Sequence, residues 1–293
     1  MNPIIKKILF PAVIIRRIHD NYLKRNNPEK LFSIFHKRST GKPLDIDNPK
    51  TMDDKIAYLA FRTDTSEWSR LADKVRVREY VEECGYGENL PQLYGTWERA
   101  EDIDFNTLPN AFAIKTNNAS ATNILVKDKS KMNEVKVRAQ LDKWLKFDYG
   151  YETCQPHYSR IKPLILAEEL LVNEGGINDY KFLCINGKAQ YIIVMSDRSE
   201  NTHNFKVSIF DLNWNPHPKY CGNYHTITNN IPRPNSLEKM IIMAENLSTP
   251  FPFVRIDFYE IGGKPVFGEM TFTPGSSSIN HLFNREMGDL IQI

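Results

Sequence analysis

The segment from Phe253 to Pro274, FVRIDFYEIGGKPVFGEMTFTP, constrains the fold of this chain most, because its pattern predicts a β-hairpin. Two runs rich in β-branched and aromatic residues, 253–259 and 265–273, flank a turn at 260–264 that contains two adjacent glycines. Successive side chains of a strand point to opposite faces. The apolar face therefore takes Val254, Ile256, Phe258, Val266, Met270 and Phe272, and the polar face takes Arg255, Asp257, Phe267, Glu269, Thr271 and Thr273.

These two faces also predict the register of the hairpin. Directly opposed residues of an antiparallel pair point to the same side, so the apolar faces coincide only if even-numbered positions oppose even-numbered positions. A plain two-residue turn at Gly262-Gly263 would pair odd with even positions and turn Glu269 into the core. We therefore predict an odd-length loop or a β-bulge, which places Asp257 and Glu269 side by side with Arg255 next to them.

Two neighbouring carboxylates repel each other, so this polar face requires a cation. Magnesium is one candidate, since it is commonly bound by one or two carboxylates together with substrate phosphates. The alternative is a surface hairpin in which Arg255, Asp257 and Glu269 form a salt bridge without a metal ion. The hairpin by itself leaves both interpretations open.

Charge, cysteines and missing motifs exclude several function classes. A formal net charge of +2 gives no general indication of a nucleic-acid partner. The four cysteines, Cys84, Cys154, Cys184 and Cys221, are widely spaced, which argues against a zinc site or a disulfide framework and suits the reducing cytoplasm. The chain also lacks the short glycine-rich, serine and histidine motifs of Rossmann, P-loop and common hydrolase sites.

The first eighteen residues, MNPIIKKILFPAVIIRRI, carry an apolar run from Ile8 to Ile15 between two basic pairs. This run is too short to span a bilayer, and no small-residue cleavage site follows it. It predicts either a helix docked on the protein body, which we favour, or a basic amphipathic anchor at the inner face of the membrane.

The intervening sequence predicts a mixed α and β fold with antiparallel hairpins. A capping box at Thr51 and Asp54 predicts a helix over 52–62. A second helix is predicted from Trp68 or Ser69 to Gly85, and its basic residues are typical of a solvated face. Residues 149–158 are predicted to form an aromatic, polar loop.

Two strand pairs carry further candidate side chains. The buried strand AFAIK, which ends at Lys115, runs into the small-residue loop TNNASATN and a second strand, as in a flap that covers phosphate. The alternative is a plain hairpin turn. Farther on, Asn186-Gly187 between two alternating runs is a strong hairpin signal, and alternation places Asp179, Lys181 and Leu183 on one face.

Six segments resemble those of ATP-grasp proteins in sequence and order, and above all their TupA-like branch, associated with teichuronopeptide and bacterial capsule synthesis. They are LADKVRVREYV, FAIKTNNASATNILVKD, ILAEELL, DYKFLCINGK, SDR…HNF and FVRIDFY…FGEMTFTPGS. The resemblance covers about residues 48–277. It implies an α+β ATP-grasp fold, in which two α+β subdomains clasp a nucleotide. Residues 1–47, which precede the resemblance, are predicted to form an N-terminal helical extension. The ATP-grasp domain then spans 48–293, with a nucleotide flap over about 111–170 and a metal-binding subdomain over about 171–293.

The resemblance also implies an activity. ATP and Mg²⁺ are the expected cofactors of a carboxylate–amine ligase, which activates a carboxylate as an acyl phosphate for attack by an amine. The expected substrate is a uronic acid or another sugar acid of a cell-surface polysaccharide. Such chemistry needs positioned charges rather than a nucleophilic side chain.

Candidate residues follow from the matching motifs. The resemblance implies that Arg255 and Lys181 are catalytic and that Asp257 and Glu269 hold the metal. Nucleotide-binding candidates are Lys74, Lys115, Ser120, Glu168, Glu169, Leu171 and Lys181, and substrate-binding candidates are Arg198, His203 and Ser276.

Two positions depart from the family pattern. A loop with alanines at Ala119 and Ala121 stands where the family has glycines, which predicts a weaker grip on phosphate. Thr271 stands where ATP-grasp proteins often have asparagine. The competing hypotheses are a glycosyltransferase of capsule or O-antigen synthesis, and a degenerate module that binds nucleotide or glycan without turnover.

Overall fold

A computed structural model describes residues 3–173, 176–196, 206–222, 226–227 and 230–293 of the chain, with side chains outside 3–12 and 226–227. Its helices are α1 (Pro3–Asn26), α2 (Pro28–Thr40), α3 (Met52–Arg62), α4 (Ser66–Ala72), α5 (Val77–Glu83), α6 (Glu134–Leu145), α7 (Tyr149–Thr153), α8 (Pro156–Ser159), α9 (Leu237–Ser248) and α10 (His281–Leu290). Its strands are β1 (Leu93–Trp97), β2 (Phe112–Thr116), β3 (Asn123–Val126), β4 (Ile165–Glu168), β5 (Asp179–Ile185), β6 (Lys188–Ser196), β7 (Lys206–Phe210), β8 (Thr226–Ile227), β9 (Phe253–Ile261) and β10 (Lys264–Thr271).

The strands form two sheets. A four-stranded antiparallel sheet has the order β1-β4-β2-β3, and it packs on α6 through side chains such as Phe112, Ile165 and Leu141. A six-stranded sheet has the order β10-β9-β5-β6-β7-β8. The four-stranded sheet includes β1, which precedes the predicted flap segment 111–170. The described fold is therefore α+β, as predicted.

Both faces of the six-stranded sheet are covered. On one face Phe182, Ile256 and Phe258 pack with residues of α4, α5 and α9. On the opposite face Leu183 and Phe253 pack with residues of α3 and α10. Burial of this apolar area, at about 25 cal/mol per Å², supplies the main force that holds the sheet in place.

The hairpin β9–β10 has the predicted bulge. Gly262 and Gly263 form a two-residue turn with φ of +57° and +73°, and the register shifts between Phe267 and Glu269. Glu269 consequently opposes Asp257 directly.

The predicted faces of Val266 and Phe267 were wrong, because the bulge lies after them rather than at the turn. Phe267 opposes Phe258 and is buried in the core, with the two ring centroids 6.3 Å apart. Val266 is only half-buried and opposes Tyr259.

Two further local predictions were wrong. The helix predicted from residue 68 to Gly85 is broken into α4 and α5 around Asp73, whose Oδ1 accepts from the backbone N–H of Val75 at 2.8 Å. The loop predicted at 149–158 folds into α7 and α8. Gly150 allows these helices to meet, since a Cβ there would lie 2.3 Å from the backbone N of Ser159.

The N-terminal helices contact the body through a small cluster. Leu23 of α1 and Leu31 of α2 are buried together with Cys154, which follows α7. Earlier in α1, Ile15, Ile18 and Tyr22 are about two-thirds exposed. The helix is therefore docked at its C-terminal end and exposes apolar side chains before it. None of the described helices is long and apolar enough to cross a membrane.

Candidate active site

One face of the six-stranded sheet carries a cluster of charged side chains. Arg255 on β9 donates to both carboxylate oxygens of Asp257 at 2.6 Å and to Oε1 of Glu269 on β10 at 3.0 Å. Lys181 on β5 is paired in register with Asp257. Its Nζ donates to Asp257 Oδ2 at 2.5 Å and lies 2.7 Å from Asp179 Oδ2. The sheet thus brings four of the predicted residues together and adds Asp179.

The charges of this cluster shift one another's pKa. Burial alone would lower the pKa of Arg255, but Asp257 and Glu269 outweigh it and raise that pKa. Burial alone would raise the pKa of Glu269, whereas the positive charges of Lys74, Arg255 and Lys181 lower it to about 2. Glu269 is consequently a carboxylate at any physiological pH.

A cavity of about 100 Å³ lies against this cluster. The hairpin contributes Arg255, Glu269 and Thr271 to its lining, and Lys74 and the loop between β2 and β3 contribute another part. The loop residues are Ala119 and Ser120, and the remaining lining residues are Tyr149, Gln155, Tyr158, Thr273, Pro274 and Gly275. Residues of the β9–β10 hairpin, of the loop between β2 and β3 and of the α7–α8 segment therefore converge on one space.

Lys74 holds the loop over this cavity. Its Nζ donates to the carbonyl oxygen of Ala119 at 2.7 Å, and its backbone N–H donates to the carbonyl of Asn117 at 3.3 Å. Burial lowers the pKa of Lys74, and the charge of Glu269 partly opposes that shift. Ala121 adopts a φ of +58°, in the left-handed region that favours glycine. The loop thus takes up a glycine-like conformation without a glycine.

A second ion pair lies on the four-stranded sheet. Lys115 on β2 donates to Glu168 on the neighbouring β4, and both side chains are largely buried. Both residues contribute to the electrostatic field at Lys74. Directly after β4, the backbone N–H of Glu169 donates to the carbonyl of Gln92 at 2.8 Å, and Leu171 is half-buried. These residues carry the nucleotide-binding prediction, which stays a prediction.

The acidic pair fits a magnesium ion in part. Glu269 is 36% exposed, lines the cavity and is ionised, as a magnesium ligand must be. Asp257 is 2% exposed, and Arg255 and Lys181 already donate to both of its oxygens. Among the described residues, no group of three or more His, Cys, Asp or Glu side chains is arranged to hold a metal ion. Glu269 therefore suits the predicted role as it stands, whereas Asp257 suits it only after exchanging a partner.

The predicted substrate residues have different outcomes. Ser276 lies one residue beyond the cavity-lining Gly275, and its hydroxyl donates to Asp53. Arg198 and His203 lie outside the described residues. Among residues that sequence reasoning missed, Asp179 was already placed on the face of Lys181 by alternation. Alternation likewise placed Thr273 on the face of Glu269, whereas Tyr149 and Gln155 had no comparable signal.

The chain is similar to known proteins in sequence family and in fold. A family model described as TupA-like ATPgrasp matches residues 54–292. An L-amino acid ligase from Bacillus licheniformis has a similar fold at 14% identity, with a TM-score of 0.52 over 80% of this chain and 53% of that chain.

A second similar structure is D-alanine–D-alanine ligase from Bacillus anthracis complexed with ATP. It is 13% identical with a TM-score of 0.47 over 76% of this chain, and the matched region spans 65% of the ligase. No curated protein matches the chain. The family match and the similar fold of the L-amino acid ligase show that the fold is that of the ATP-grasp proteins.

Proposed function

The chain belongs to the TupA-like ATP-grasp family, and from that premise we propose that it joins a carboxylate to an amine with the use of ATP. The γ-phosphoryl group of ATP passes to a carboxylate oxygen, which gives ADP and an acyl phosphate. The amine then attacks the acyl carbon, loses a proton and expels inorganic phosphate, which leaves an amide. The substrate supplies the nucleophile, so the protein needs no reactive side chain of its own.

The observation that carries this proposal is the convergence of cations on one cavity. Lys74 and Arg255 line it, and Lys181 is linked to Arg255 because both donate hydrogen bonds to Asp257. Transfer of a phosphoryl group spreads negative charge over its oxygens, and fixed cations stabilise that charge. In the proposal Arg255 contacts the transferring group and the carboxylate, and Lys181 holds Asp257 in place.

In the same proposal, the other nucleotide contacts come from Lys74, from β2 and the loop after it, and from the end of β4. Ser120 and its loop cover the phosphates, Lys115 and Lys74 bind phosphate oxygens, and Glu168, Glu169 and Leu171 meet adenine and ribose. Magnesium held by Glu269, with Asp257 as its second ligand, would neutralise the phosphate tail when bound. Thr271 already donates to Glu269 Oε1 at 3.1 Å, so it orients that carboxylate.

The proposed acid is a uronic acid or another sugar acid of a bacterial cell-surface polysaccharide. Membership in the TupA-like branch supports this choice. The uncharged hydrogen-bonding side chains of Tyr149, Gln155 and Thr273 at the cavity also support it, since hydroxyl and amide groups are suited to sugar hydroxyls.

The test is a panel of uronic and sugar acids with Mg·ATP, with hydroxylamine first and then amino acids and amino alcohols as the amine. We expect at least one acid to give equal amounts of ADP and hydroxamate. Glu269→Gln should lower that rate about 100-fold or more. Asp142→Asn on the exposed side of α6 is the matched control and should keep it.

Three results would contradict the proposal. Calorimetric binding of ATP, without release of ADP in the presence of any acid, would favour a module without turnover. The left-handed backbone of Ala121, where glycine is favoured, is the observation behind that alternative. Transfer from a nucleotide-sugar without ATP would favour a glycosyltransferase. Undiminished turnover in Glu269→Gln would remove the metal role.

We also propose that α1 lies on an anionic membrane surface. Its sequence has six basic residues and a single acidic residue, Asp20, which pairs with Arg38. Ile15, Ile18 and Tyr22 follow one another at helical spacing and are exposed. Apolar and basic side chains on one helix are typical of interfacial binding.

Flotation with vesicles tests this contact. Full-length protein should float with vesicles that contain phosphatidylglycerol, and an Ile15→Ser/Ile18→Ser variant should stay in solution. Val135→Ser removes an even more exposed apolar side chain from α6, and this variant should still float. If neither protein floats, and the wild type is a dimer while the double variant is a monomer, a second copy of the chain covers this face instead.

A further inference from the structure

Asp53, at the start of α3, connects three separate parts of the chain. Its Oδ2 lies 2.8 Å from Nε2 of His36 on α2 and accepts from Nδ2 of Asn284 on α10 at 2.6 Å. Its Oδ1 accepts from the hydroxyl of Ser276 at 2.5 Å. The Asp53 side chain is 5% exposed, so these contacts replace water almost completely.

The contacts of His36 favour its charged form. Its Nε2 faces the carboxylate of Asp53, and its Nδ1 lies 2.8 Å from the carbonyl oxygen of Lys42. A carboxylate and a carbonyl only accept hydrogen bonds, so these two contacts favour a proton on each ring nitrogen. Burial lowers the pKa of His36, but Asp53 and, more weakly, Asp54 outweigh it and raise that pKa above its ordinary 6.5.

Ser276 belongs to the segment that borders the cavity. The three preceding residues, Thr273, Pro274 and Gly275, all line it. The hydroxyl of Thr273 donates to Oε1 of Gln155, which lines the cavity from the α7–α8 side. One edge of the cavity is therefore tied to His36 through Ser276 and Asp53.

The α7–α8 side is tied to the same N-terminal helices. Lys24 of α1 forms an ion pair with Glu152 of α7. The side chain of Cys154, next to Gln155, is buried with Leu23 and Leu31. Both parts of this edge thus rest on residues that precede the family-matched segment.

We infer that the N-terminal helices α1 and α2 complete the substrate side of the active site, with His36 and Asp53 as positioning residues. They fix Ser276, and with it the edge formed by Thr273, Gly275 and Gln155, against which the acid or the amine binds. The inference rests on the proposed function for the identity of the substrates, and on the hydrogen bonds above for the edge itself.

Hydrogen–deuterium exchange of the full-length protein tests the edge without any substrate. We expect exchange in peptides that cover residues 272–280 to rise about tenfold or more in His36→Ala and Asp53→Asn, because each loses a hydrogen bond to a charged group. Calorimetric affinity for Mg·ATP should stay within about threefold. Lys37→Ala, an exposed neighbour on α2, is the control and should match the wild type in both measurements.

The pH profile distinguishes a charged His36 from a merely structural contact. A pKa raised on folding means that the protection is complete below pH 6.5 and is lost as the pH rises through the folded value. After correction for base catalysis, exchange at 272–280 in the wild type should therefore show a stepwise loss of protection as the pH rises. His36→Gln can still donate to Asp53, so it should restore part of the protection that His36→Ala loses, without the step.

Kinetics with an acid–amine pair from the activity panel complete the test. The KM of the acid or the amine should rise about tenfold in His36→Ala, while the KM of ATP stays unchanged. If no pair turns over, the proposed function fails and exchange alone decides the inference. Unchanged exchange at 272–280 in both variants would overturn it, and so would an equal rise across the whole chain. If Asp53→Asn does not fold, Ser276→Ala and His36→Gln carry the same measurements.

Discussion

We expect Asp257→Asn to lower the free energy of unfolding by about 3–5 kcal/mol, because it removes one partner from a buried ion-pair cluster. The carboxylate of Asp257 is 2% exposed and accepts two hydrogen bonds from Arg255 and one from Lys181. Asparagine has nearly the same shape, but its NH₂ group would face one of these cations, so that a donor meets a donor.

Urea denaturation without nucleotide or magnesium measures this loss. A chain of this size loses about 2–4 °C in Tm for each kcal/mol of stability, so the Tm of Asp257→Asn should lie roughly 6–20 °C below that of the wild type. Asp142→Asn on the exposed side of α6 is the control and should stay within about 0.5 kcal/mol of the wild type. Glu269→Gln should cost only about 1 kcal/mol, since its 36% exposed side chain is screened by water.

The sign of the effect decides between two roles of Asp257. A carboxylate held against repulsion from Asp179 and Glu269, in readiness for a divalent cation, would be strained, and its neutralisation would stabilise the protein. Asp257→Asn at or above wild-type stability would therefore refute the counter-ion role. Because the expected loss is large, Glu269→Gln is the better variant for measuring the metal's part in activity.

Three further outcomes follow from the structure. The pKa of Glu269 is lowered from 4.5 to about 2, so its contribution to stability is present above pH 4.5 and is lost toward pH 2. The free energies of unfolding of the wild type and Glu269→Gln, measured against pH, should therefore converge toward pH 2. Ala121→Gly should keep or raise stability by up to about 1 kcal/mol, whereas Ala119→Gly in the same loop, where φ is not positive, should lower it by a similar amount in urea titrations. Gly288→Ala should lower Tm by an amount equivalent to about 1–3 kcal/mol, because its Cβ would lie 2.4 Å from backbone oxygen ahead of α3; Gly275→Ala, with open space around it, should not.

Several elements could be predicted because their signals are local. The helix predicted over 52–62 is confirmed by α3, where the hydroxyl of Thr51 accepts from the N–H of Asp54 and the carboxylate of Asp54 accepts in return. The turn predicted at Asn186-Gly187 is confirmed, with φ of +50° and +74°. In both cases neighbouring residues satisfy the backbone without help from distant parts of the chain.

The failures arise where distant contacts override local preference. The break at Asp73 serves Lys74, whose backbone N–H and Nζ both bond to the loop after β2. The short helices α7 and α8 depend on the close packing of Gly150 against the backbone of Ser159. No residue in either segment carries a signal for these tertiary contacts.

The candidate site was predictable to the extent that one hairpin contains it. Alternation and the bulge were enough to place Asp257 beside Glu269. They gave no information on Lys181 as a partner of Asp257, because sequence does not say which strand lies next to β9. The connection from His36 to Ser276 spans most of the chain and was likewise hidden.

The balance of charge in the cleft has a kinetic consequence. Lys74, Lys181 and Arg255 are matched in number by Asp179, Asp257 and Glu269, so their fields largely cancel beyond a Debye length of about 8 Å at physiological salt. An incoming magnesium nucleotide then meets little long-range attraction or repulsion. Its association rate constant should change little with ionic strength, unlike that of a ligand steered into a strongly basic cleft.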